Sequence, residues 1–373
     1  MQFKEHLIDQ DLRGAYGLAV ADINGNGWKD IVVGSTAEPI IAWYESPHWQ
    51  KHLISDQHPG NITIATHDLT ENGTPDLIVG SGFNRRQRVP VEYLHWLEAP
   101  VSNEQWTSHY IDEIPFLHRI ELVDLNGDGQ PLLFVASIRG TEGGFDEWYD
   151  PGALWCYQIP SDPINQTWQR RLIDDQLYLN HGLSVGDVDR DGQLDILIGC
   201  RDGLIWFEPP SNPFTGEWQK WFISKRESSE VFTVDLDGDG INEILSIEPW
   251  HGNTIAWYKA TGDLRKDKWV RYEIDNTLNR GHALHAVDLD DNGTVEIITG
   301  YNGEGTSLQL YRPINLGQNQ WEKEIIDHGK LGVGLMVIDD LNHNGRMDIV
   351  AGGLSTNNLK WYENFGHQSK SKE

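Results

Sequence analysis

Apolar and polar residues alternate along this chain in short stretches that recur in a fixed order. An alternating segment such as GLAVAD (17–22) leads into a turn rich in Asp, Asn and Gly, then into the apolar run DIVVGS (30–35). A second run with an aromatic pair follows, IAWYES (41–46), and then a tryptophan-led segment ending near an isoleucine, WQKHLIS (49–55). Two-residue alternation and β-rich runs bounded by turn residues predict strands, and the 3.6-residue period of an amphipathic helix is absent from nearly the whole sequence. Each unit therefore reads as four antiparallel strands, A to D, joined by hairpins.

The unit occurs seven times, with first loop acids Asp22, Asp68, Asp124, Asp187, Asp235, Asp288 and Asp340 spaced 46, 56, 63, 48, 53 and 52 residues apart. Seven such units predict an all-β fold, a seven-bladed β-propeller of four-stranded blades, as a single domain over residues 1–373. The last unit ends at LKWYEN (359–364) without a strand D, and FKEHLID (3–9) matches the missing segment. The N-terminal strand is expected to complete that blade and close the ring, leaving no terminal edge unpaired.

The turn motif D-x-[DN]-x-[DN]-G-x-x-[DE]-[IL], followed by an apolar strand, resembles the FG-GAP/VCBS repeat of integrin-type and many microbial propellers. The phrases FLHRIELVDLNGDGQPLLFVASIRG (116–140), LNHGLSVGDVDRDGQLDILIG (179–199) and RGHALHAVDLDDNGTVEIITGYNGEG (280–305), with the recurring WYE or WFE, look like a narrower group. They are similar to the propeller domain of aldos-2-ulose (1,5-anhydrofructose) dehydratases and, more distantly, to the propeller ulvan lyases. The cupin portion of the fungal dehydratases has no counterpart here, so the resemblance does not extend to isomerase activity.

Charge narrows the partners. With 29 Lys+Arg against 57 Asp+Glu the net charge is −28, which repels nucleic acid and anionic membranes and leaves cations or neutral ligands, such as a small sugar or oligosaccharide. No apolar run approaches a membrane span and the opening MQFKEHLIDQ has no signal-peptide core, so the cytoplasm is the expected compartment, or secretion if a leader has been removed. Cys156 and Cys200 make no disulfide framework. Oligomeric state is not encoded legibly.

Oxygen ligands at positions 1, 3, 5 and 9 of a tight loop, with Gly at 6, can converge on a hard cation such as Ca²⁺. The strong loops are Asp22/Asn24/Asn26/Asp30, Asp187/Asp189/Asp191/Asp195, Asp235/Asp237/Asp239/Glu243, Asp288/Asp290/Asn292/Glu296 and Asp340/Asn342/Asn344/Asp348. Thr70 and Leu132 weaken the second and third loops. The same residues also make hairpin turns without any ion, their side chains bonding their own backbone.

In a propeller the D-to-A and B-to-C connections surround one mouth of the central channel, the natural place for a ligand. Six residues before the first loop acid stand Tyr16, Ile62, His118, His181, Ser229 and His282, with Val333 or Gly334 in the irregular seventh unit. His118, His181 and His282 are expected to meet there as ligands of a Zn-like divalent ion that polarises a substrate oxygen; the alternative is three histidines bonded to nearby backbone. The B-to-C loops add Arg85, Arg86 and Arg88, then Arg139, Glu147, Trp148 and Tyr149, then Arg201, Glu248, Trp250, His251, Tyr301 and Glu304. Of these, Tyr301, Arg139, Arg201, His251 and Glu248 are candidates for catalysis, and Trp148, Trp250, Tyr149 and Tyr16 for substrate contact. Twelve tryptophans fall into two columns, Trp43, Trp96, Trp155, Trp206, Trp257 and Trp361 in strand C and Trp49, Trp106, Trp168, Trp218, Trp269 and Trp321 at the start of strand D, and read as blade packing.

Phosphate-cradling loops, dinucleotide fingerprints, H-E-x-x-H helices and nucleophile elbows are absent. The expected activity is that of a metal-dependent carbon–oxygen lyase, a dehydratase eliminating water from a keto-sugar or anhydro-sugar. Such chemistry needs a base beside the carbonyl, a cation for the enolate charge and an acid for the departing hydroxyl. The alternatives are a lectin-like or protein-binding propeller without catalysis and, further off, a polysaccharide lyase.

Overall fold

The computed structural model describes residues 1–84, 92–100, 105–125, 127–141, 149–266 and 268–366. Among them, seven four-stranded antiparallel sheets follow one another around a ring, each ordered A-B-C-D from the channel outward. Blade one comprises Ala15–Ala21, Asp30–Ser35, Ile41–Glu45 and Gln50–Ser55. In blade seven, Val333–Asp339, Asp348–Gly353 and Asn358–Asn364 are completed by the N-terminal Phe3–Asp9, which runs antiparallel with Phe3 opposite Asn364 and His6 opposite Trp361. The ring is thus closed as the sequence predicts. Among the described residues, no helix is long and apolar enough to cross a membrane.

Sheets that pack face to face bury their middle strands on both sides. Strands B accordingly are buried along their whole length in DIVVGS, DLIVGS, DILIGC and DIVAGG. Strand D is the outer edge, and there strand C tryptophans stack on the ring directly opposite: Trp43 on His52 at 4.3 Å, Trp96 on His109 at 4.3 Å and Trp361 on His6 at 4.2 Å. A glutamate from the end of each strand C then holds the histidine, Glu45, Glu98 and Glu363 lying 2.7–2.8 Å from the ring nitrogens. These histidines serve packing, not chemistry.

Neighbouring blades are latched by an aspartate near the end of strand D. Asp9 accepts from Tyr44 and from Lys51 at 2.8 Å; Asp112 accepts from Tyr157 at 2.9 Å and Arg170 at 2.6 Å. Asp275 does the same with Tyr311 and Lys323, and Asp327 with Tyr362 and Lys360. The first three latches join strand D of one blade to strands C and D of the next and the Asp327 latch joins it to strand C alone, so the closing strand is also tied to blade one.

The A-to-B turns are held by their own carboxylates. Asp22 accepts from the backbone of Asn26 at 3.0 Å and Gly27 at 2.8 Å, while the buried Asp30 accepts from Ile23 and from Ser46 at the end of strand C. Gly27 has φ 86°, a left-handed conformation that a side chain would strain. In blade five the Lys259 ammonium lies among the loop acids, bonding Asp237, Asp239 at 2.9 Å and Glu243 at 3.2 Å. In blade four Arg265 binds Asp189, and it also lies 3.0 Å from Glu208.

Burial gives the fold an unusual pH response. It pushes Glu92 up to about 8 and Asp195 and Glu296 up to about 7, against backbone hydrogen bonds that pull the other way. A carboxyl whose folded pKa exceeds its unfolded value stabilises the fold at low pH, and that contribution is lost as pH rises through the folded pKa. Buried His95 and His285, lowered to about 3 and about 4 by burial, act oppositely and destabilise the fold only once pH falls below the unfolded value of 6.5. Thermal melts in chelator should therefore show Tm rising as pH is lowered from 8.5 to 6.5, by an amount corresponding to about 1–3 kcal/mol, and a shallower dependence below that, where the histidines oppose the carboxyls. A Tm that climbs steadily toward pH 8.5 would contradict this assignment.

Candidate functional site

Four strand A/B pairings skip one residue, and the skipped residues are Tyr16, His118, His282 and Gly334 in blades one, three, six and seven. A bulge bends its strand and re-aims the extra side chain. His181 stands just before strand A of blade four, Gly182–Gly186. Tyr16, His118, His181 and His282 are all buried, and their rings meet at the channel axis. Ring centres are 4.4 Å apart for His118 and His181, 5.1 Å for His181 and His282, and 5.4 Å for Tyr16 and His282.

A fourth imidazole enters from the B-to-C loop of blade five. His251 has φ 46°, a left-handed conformation costly for a residue with a side chain and the kind of strain that gathers at functional sites. It brings Nε2 to 3.2 Å from His181 Nε2 and its ring centre to 4.8 Å from that of His282. The ligand atoms of His181, His251 and His282 all lie within 4.8 Å of one another. Two imidazole nitrogens on one tetrahedral Zn²⁺ with bonds near 2.05 Å are separated by about 3.3 Å, close to the 3.2 Å observed between His181 and His251. His282 Nδ1 donates to the Gly334 carbonyl at 2.8 Å, which leaves Nε2 to face the cluster.

Electrostatics favour the neutral, ligating form. Burial first, then the Arg119 charge and the neighbouring histidines, holds His118 well below the ordinary range; burial and Arg119 do so for His181; burial and the other rings do so for His282. Beneath the rings Arg119 donates to Tyr16 Oη at 3.0 Å and contacts Glu230 at 3.2 Å. Burial pushes the Tyr16 phenol up more than Arg119 lowers it, so it is protonated at neutral pH.

Above lies a cavity of about 1280 Å³. Tyr16, His118, His181, His251 and His282 form its floor, Phe83, Trp250 and Leu354 its apolar wall, and Arg13, Arg280 and Asn302 part of its polar lining. The lining comes from D-to-A and B-to-C connections, the mouth expected from the sequence. His118 sits beside the close trio, its ring edge-on to Phe83 and Tyr16, and His251 takes the place in the trio that the column count gave to His118.

Several other expected residues lie elsewhere. Glu248 is the last residue of strand B in blade five, and its buried carboxylate bonds Tyr258 and Arg271, turned away from the cavity. Tyr301 ends strand B of blade six and packs in the apolar cluster with Ile247, Leu278 and Tyr311. Neither is a loop residue, because both strands run further than their apolar pattern. The Arg139 guanidinium is buried 3.9 Å over the Phe116 ring, and Arg201 lies 5.2 Å over the exposed Tyr149; none of the three lines the cavity. Glu304 is exposed outside it. Arg85, Arg86, Arg88, Glu147 and Trp148 fall outside the described residues.

The Asp-rich turns divide in the same way. Close groups of acids form at Asp187/Asp189/Asp195, Asp235/Asp237/Asp239 and Asp288/Asp290/Glu296. Asn24, Asp191, Asn292, Asn342 and Asn344 also accept, through their side-chain oxygens, from the backbone amide two residues further on. Asn24 accepts from Asn26 and Asn342 from Asn344, both at 3.1 Å; Asp191 accepts from Gln193, Asn292 from Thr294 and Asn344 from Arg346, each at 2.8 Å. Asn26 does likewise with Trp28 at 2.8 Å. The amide groups of Asn24 and Asn342 also donate to Glu45 and Glu363, each at 3.0 Å, which ties the turn to the end of strand C. Asp191 is exposed and stands outside the close group of its own loop. In blade seven Asp340 accepts from Gly345 at 2.8 Å and Asp348 from Asn364 at 2.7 Å, as their counterparts do in blade one. A short Asn or Asp side chain at a turn readily reaches its own following amides.

Arg119 and Glu230 are the residues that the sequence reading missed. Both stand five positions before the loop acid, in blades three and five, where other blades carry Gly17, Thr63, Gly182, Ala283 and Leu335. Opposite charges in an otherwise small or apolar column were the available signal.

Comparison with known proteins agrees on the fold. Residues 124–198 and 235–299 match the FG-GAP-like repeat family model, in keeping with the seven-bladed β-propeller described above. Over 123 residues it is 24% identical to BBSome complex member BBS2 of Mus musculus, a stretch that covers 33% of this chain and 14% of that protein. The chain thus matches only a small part of that relative's length. Among solved structures, an Agrocybe aegerita lectin, studied for specific recognition of non-reducing terminal N-acetylglucosamine, superposes with a TM-score of 0.54 at 13% identity over 95% of this chain and 86% of its own. BBS1N, solved in complex with ARL6DN, superposes with a TM-score of 0.55 at 11% identity over 96% and 97%. At such identities the likeness concerns the fold alone.

Proposed function

We propose that the protein is a metal-dependent carbon–oxygen lyase that eliminates water from a keto-sugar or anhydro-sugar at the channel mouth. The observation that carries this reading is the convergence of three imidazoles, His181, His251 and His282, on the floor of a large cavity beside a protonated tyrosine. A divalent ion of the Zn type held by those rings would supply a Lewis acid for the carbonyl oxygen of the substrate. His118, neutral and next to the trio, would accept the proton from the carbon beside that carbonyl. Tyr16, kept protonated by burial and steadied by Arg119, would donate to the departing hydroxyl, which leaves as water when the C–O bond breaks. The resemblance of the His118-Arg119, His181-Gly182 and His282 phrases to sugar dehydratases supports the substrate class.

The test is elemental analysis of the purified protein together with incubation with 1,5-anhydrofructose, followed by the absorbance of the conjugated enone. Bound transition metal and enone formation abolished by chelation are expected; a metal-free protein without turnover would sink the reading. A carbohydrate-binding propeller without catalysis is the second reading, supported by the shared fold of the lectin and by the Phe83 and Trp250 wall. Its signature is saturable sugar binding with no enone.

Calcium is proposed for the turns not already filled by a side chain. Lys259 and Arg265 stand in for a cation in blades five and four, which leaves blades one, six and seven. There an amide or carboxylate oxygen that already accepts one backbone hydrogen bond keeps a second lone pair for a cation. Chelation should lower Tm by removing an ion that binds only the folded form, and Lys259→Ala should enlarge that Ca²⁺-dependent shift. Identical melts in Ca²⁺ and chelator for both proteins would defeat this assignment.

A further inference from the structure

One ion pair crosses the channel directly beneath the histidines. Arg119, on strand A of blade three, puts Nη2 3.2 Å from Glu230 Oε1, which reaches in from the segment preceding strand A of blade five. The same carboxylate oxygen lies 2.9 Å from His181 Nδ1, close but not aligned as a hydrogen bond. Through its other nitrogen Arg119 donates to Tyr16 Oη at 3.0 Å, and Tyr16 Oη lies 3.4 Å from His282 Nε2. The pair therefore touches or reaches two of the three clustered rings.

Charge balance gives this arrangement a purpose. Three neutral imidazoles contribute nothing against a divalent ion, and the buried Arg119 adds a further positive charge beside it. Unpaired charge in a buried site is costly. Glu230 is the carboxylate in contact with both the guanidinium and a ring of the trio.

We infer that Glu230 is the charge-balancing residue of the histidine centre, neutralising the Arg119 guanidinium beside the His181 ring so that the trio can hold a divalent cation. This rests on the metal reading above. Partners behind a metal-binding histidine typically contribute about 10–100-fold in metal affinity.

The experiment is titration of metal-stripped protein with Zn²⁺, with Co²⁺ absorption as a second probe of the ligand set and circular dichroism as a check of folding. Glu230→Gln should weaken Zn²⁺ binding by about 10–100-fold and perturb the Co²⁺ spectrum. Adding Arg119→Met to Glu230→Gln should recover part of the loss, because the uncompensated guanidinium is gone. Should Glu230→Gln fail to fold, Arg119→Met alone against the double variant isolates the same carboxylate, and the double variant should bind about tenfold or more weakly. Wild-type protein that binds neither ion would defeat the metal reading itself. Wild-type protein that binds Zn²⁺ while Glu230→Gln binds equally well, or while the double variant gains nothing, would overturn the role of Glu230 and leave the metal reading standing.

Discussion

Removal of residues 1–10 should open the ring and destabilise the protein by several kcal/mol, a large share of the roughly 5–15 kcal/mol that holds a typical domain folded. The deletion takes away the whole outer strand of blade seven, whose register runs from Phe3 opposite Asn364 to Asp9 opposite Leu359. It also removes His6 from the face of Trp361, where the rings stack at 4.2 Å, and leaves Glu363 without the histidine it binds at 2.7 Å. Across the seam, Tyr44 and Lys51 of blade one lose Asp9, the acceptor of the latch that joins blades seven and one. What remains is an unpaired strand C edge, a template for association with another copy. The expected result is a Tm lowered by about 5 °C or more, or aggregation, with Asp9→Asn showing a smaller loss because it breaks the latch and keeps the strand. An undiminished Tm for the truncated chain would show that the seam carries little of the stability.

The fold was legible because its physics repeats. Asp-rich turns at a spacing of about fifty residues, buried strands B and the two tryptophan columns each recur often enough to be recognised without knowing any contact. The missing seventh strand D and its match at the other end of the chain settled closure for the same reason. The site was legible only as a column. Counting back from the loop acid finds Tyr16, His118, His181 and His282, because three strand A bulges, and in blade four the residue just before strand A, keep their place in the repeat. Which of these rings come closest depends on a loop conformation, the left-handed backbone at His251, that no periodicity reports. Glu248 and Tyr301 were misplaced by a related limit: a strand end and a loop start read alike in sequence, yet one side chain turns into the blade interface and the other toward the channel. The turn residues show a third limit, since Asn24 and Asn342 look the same in sequence whether their oxygens serve an ion or the amide two residues on. Arg119 and Glu230 escaped because a buried ion pair leaves no trace in hydrophobic patterning, only an anomaly between blades.

His251→Ala and His118→Ala should part company, and the contrast distinguishes the geometry from the simple column count. His251 belongs to the trio whose ligand atoms lie within 4.8 Å, with its Nε2 3.2 Å from that of His181. Loss of one of three imidazoles should cost more than the roughly 10–100-fold associated with an outer partner, so His251→Ala should emerge metal-free and without enone formation. His118 touches His181 ring to ring at 4.4 Å but stands outside the trio, pressed edge-on against Phe83 and Tyr16. His118→Ala should therefore keep its metal and lose turnover by about 10²–10⁴-fold, the usual worth of a positioned proton acceptor. Both variants should retain the wild-type Tm within a few degrees when measured without metal, since the blades and not the channel rings hold the ring of sheets together. The opposite pattern, metal lost from His118→Ala and retained in His251→Ala, would place the ion on the His118, His181 and His282 set and make His251 the proton acceptor.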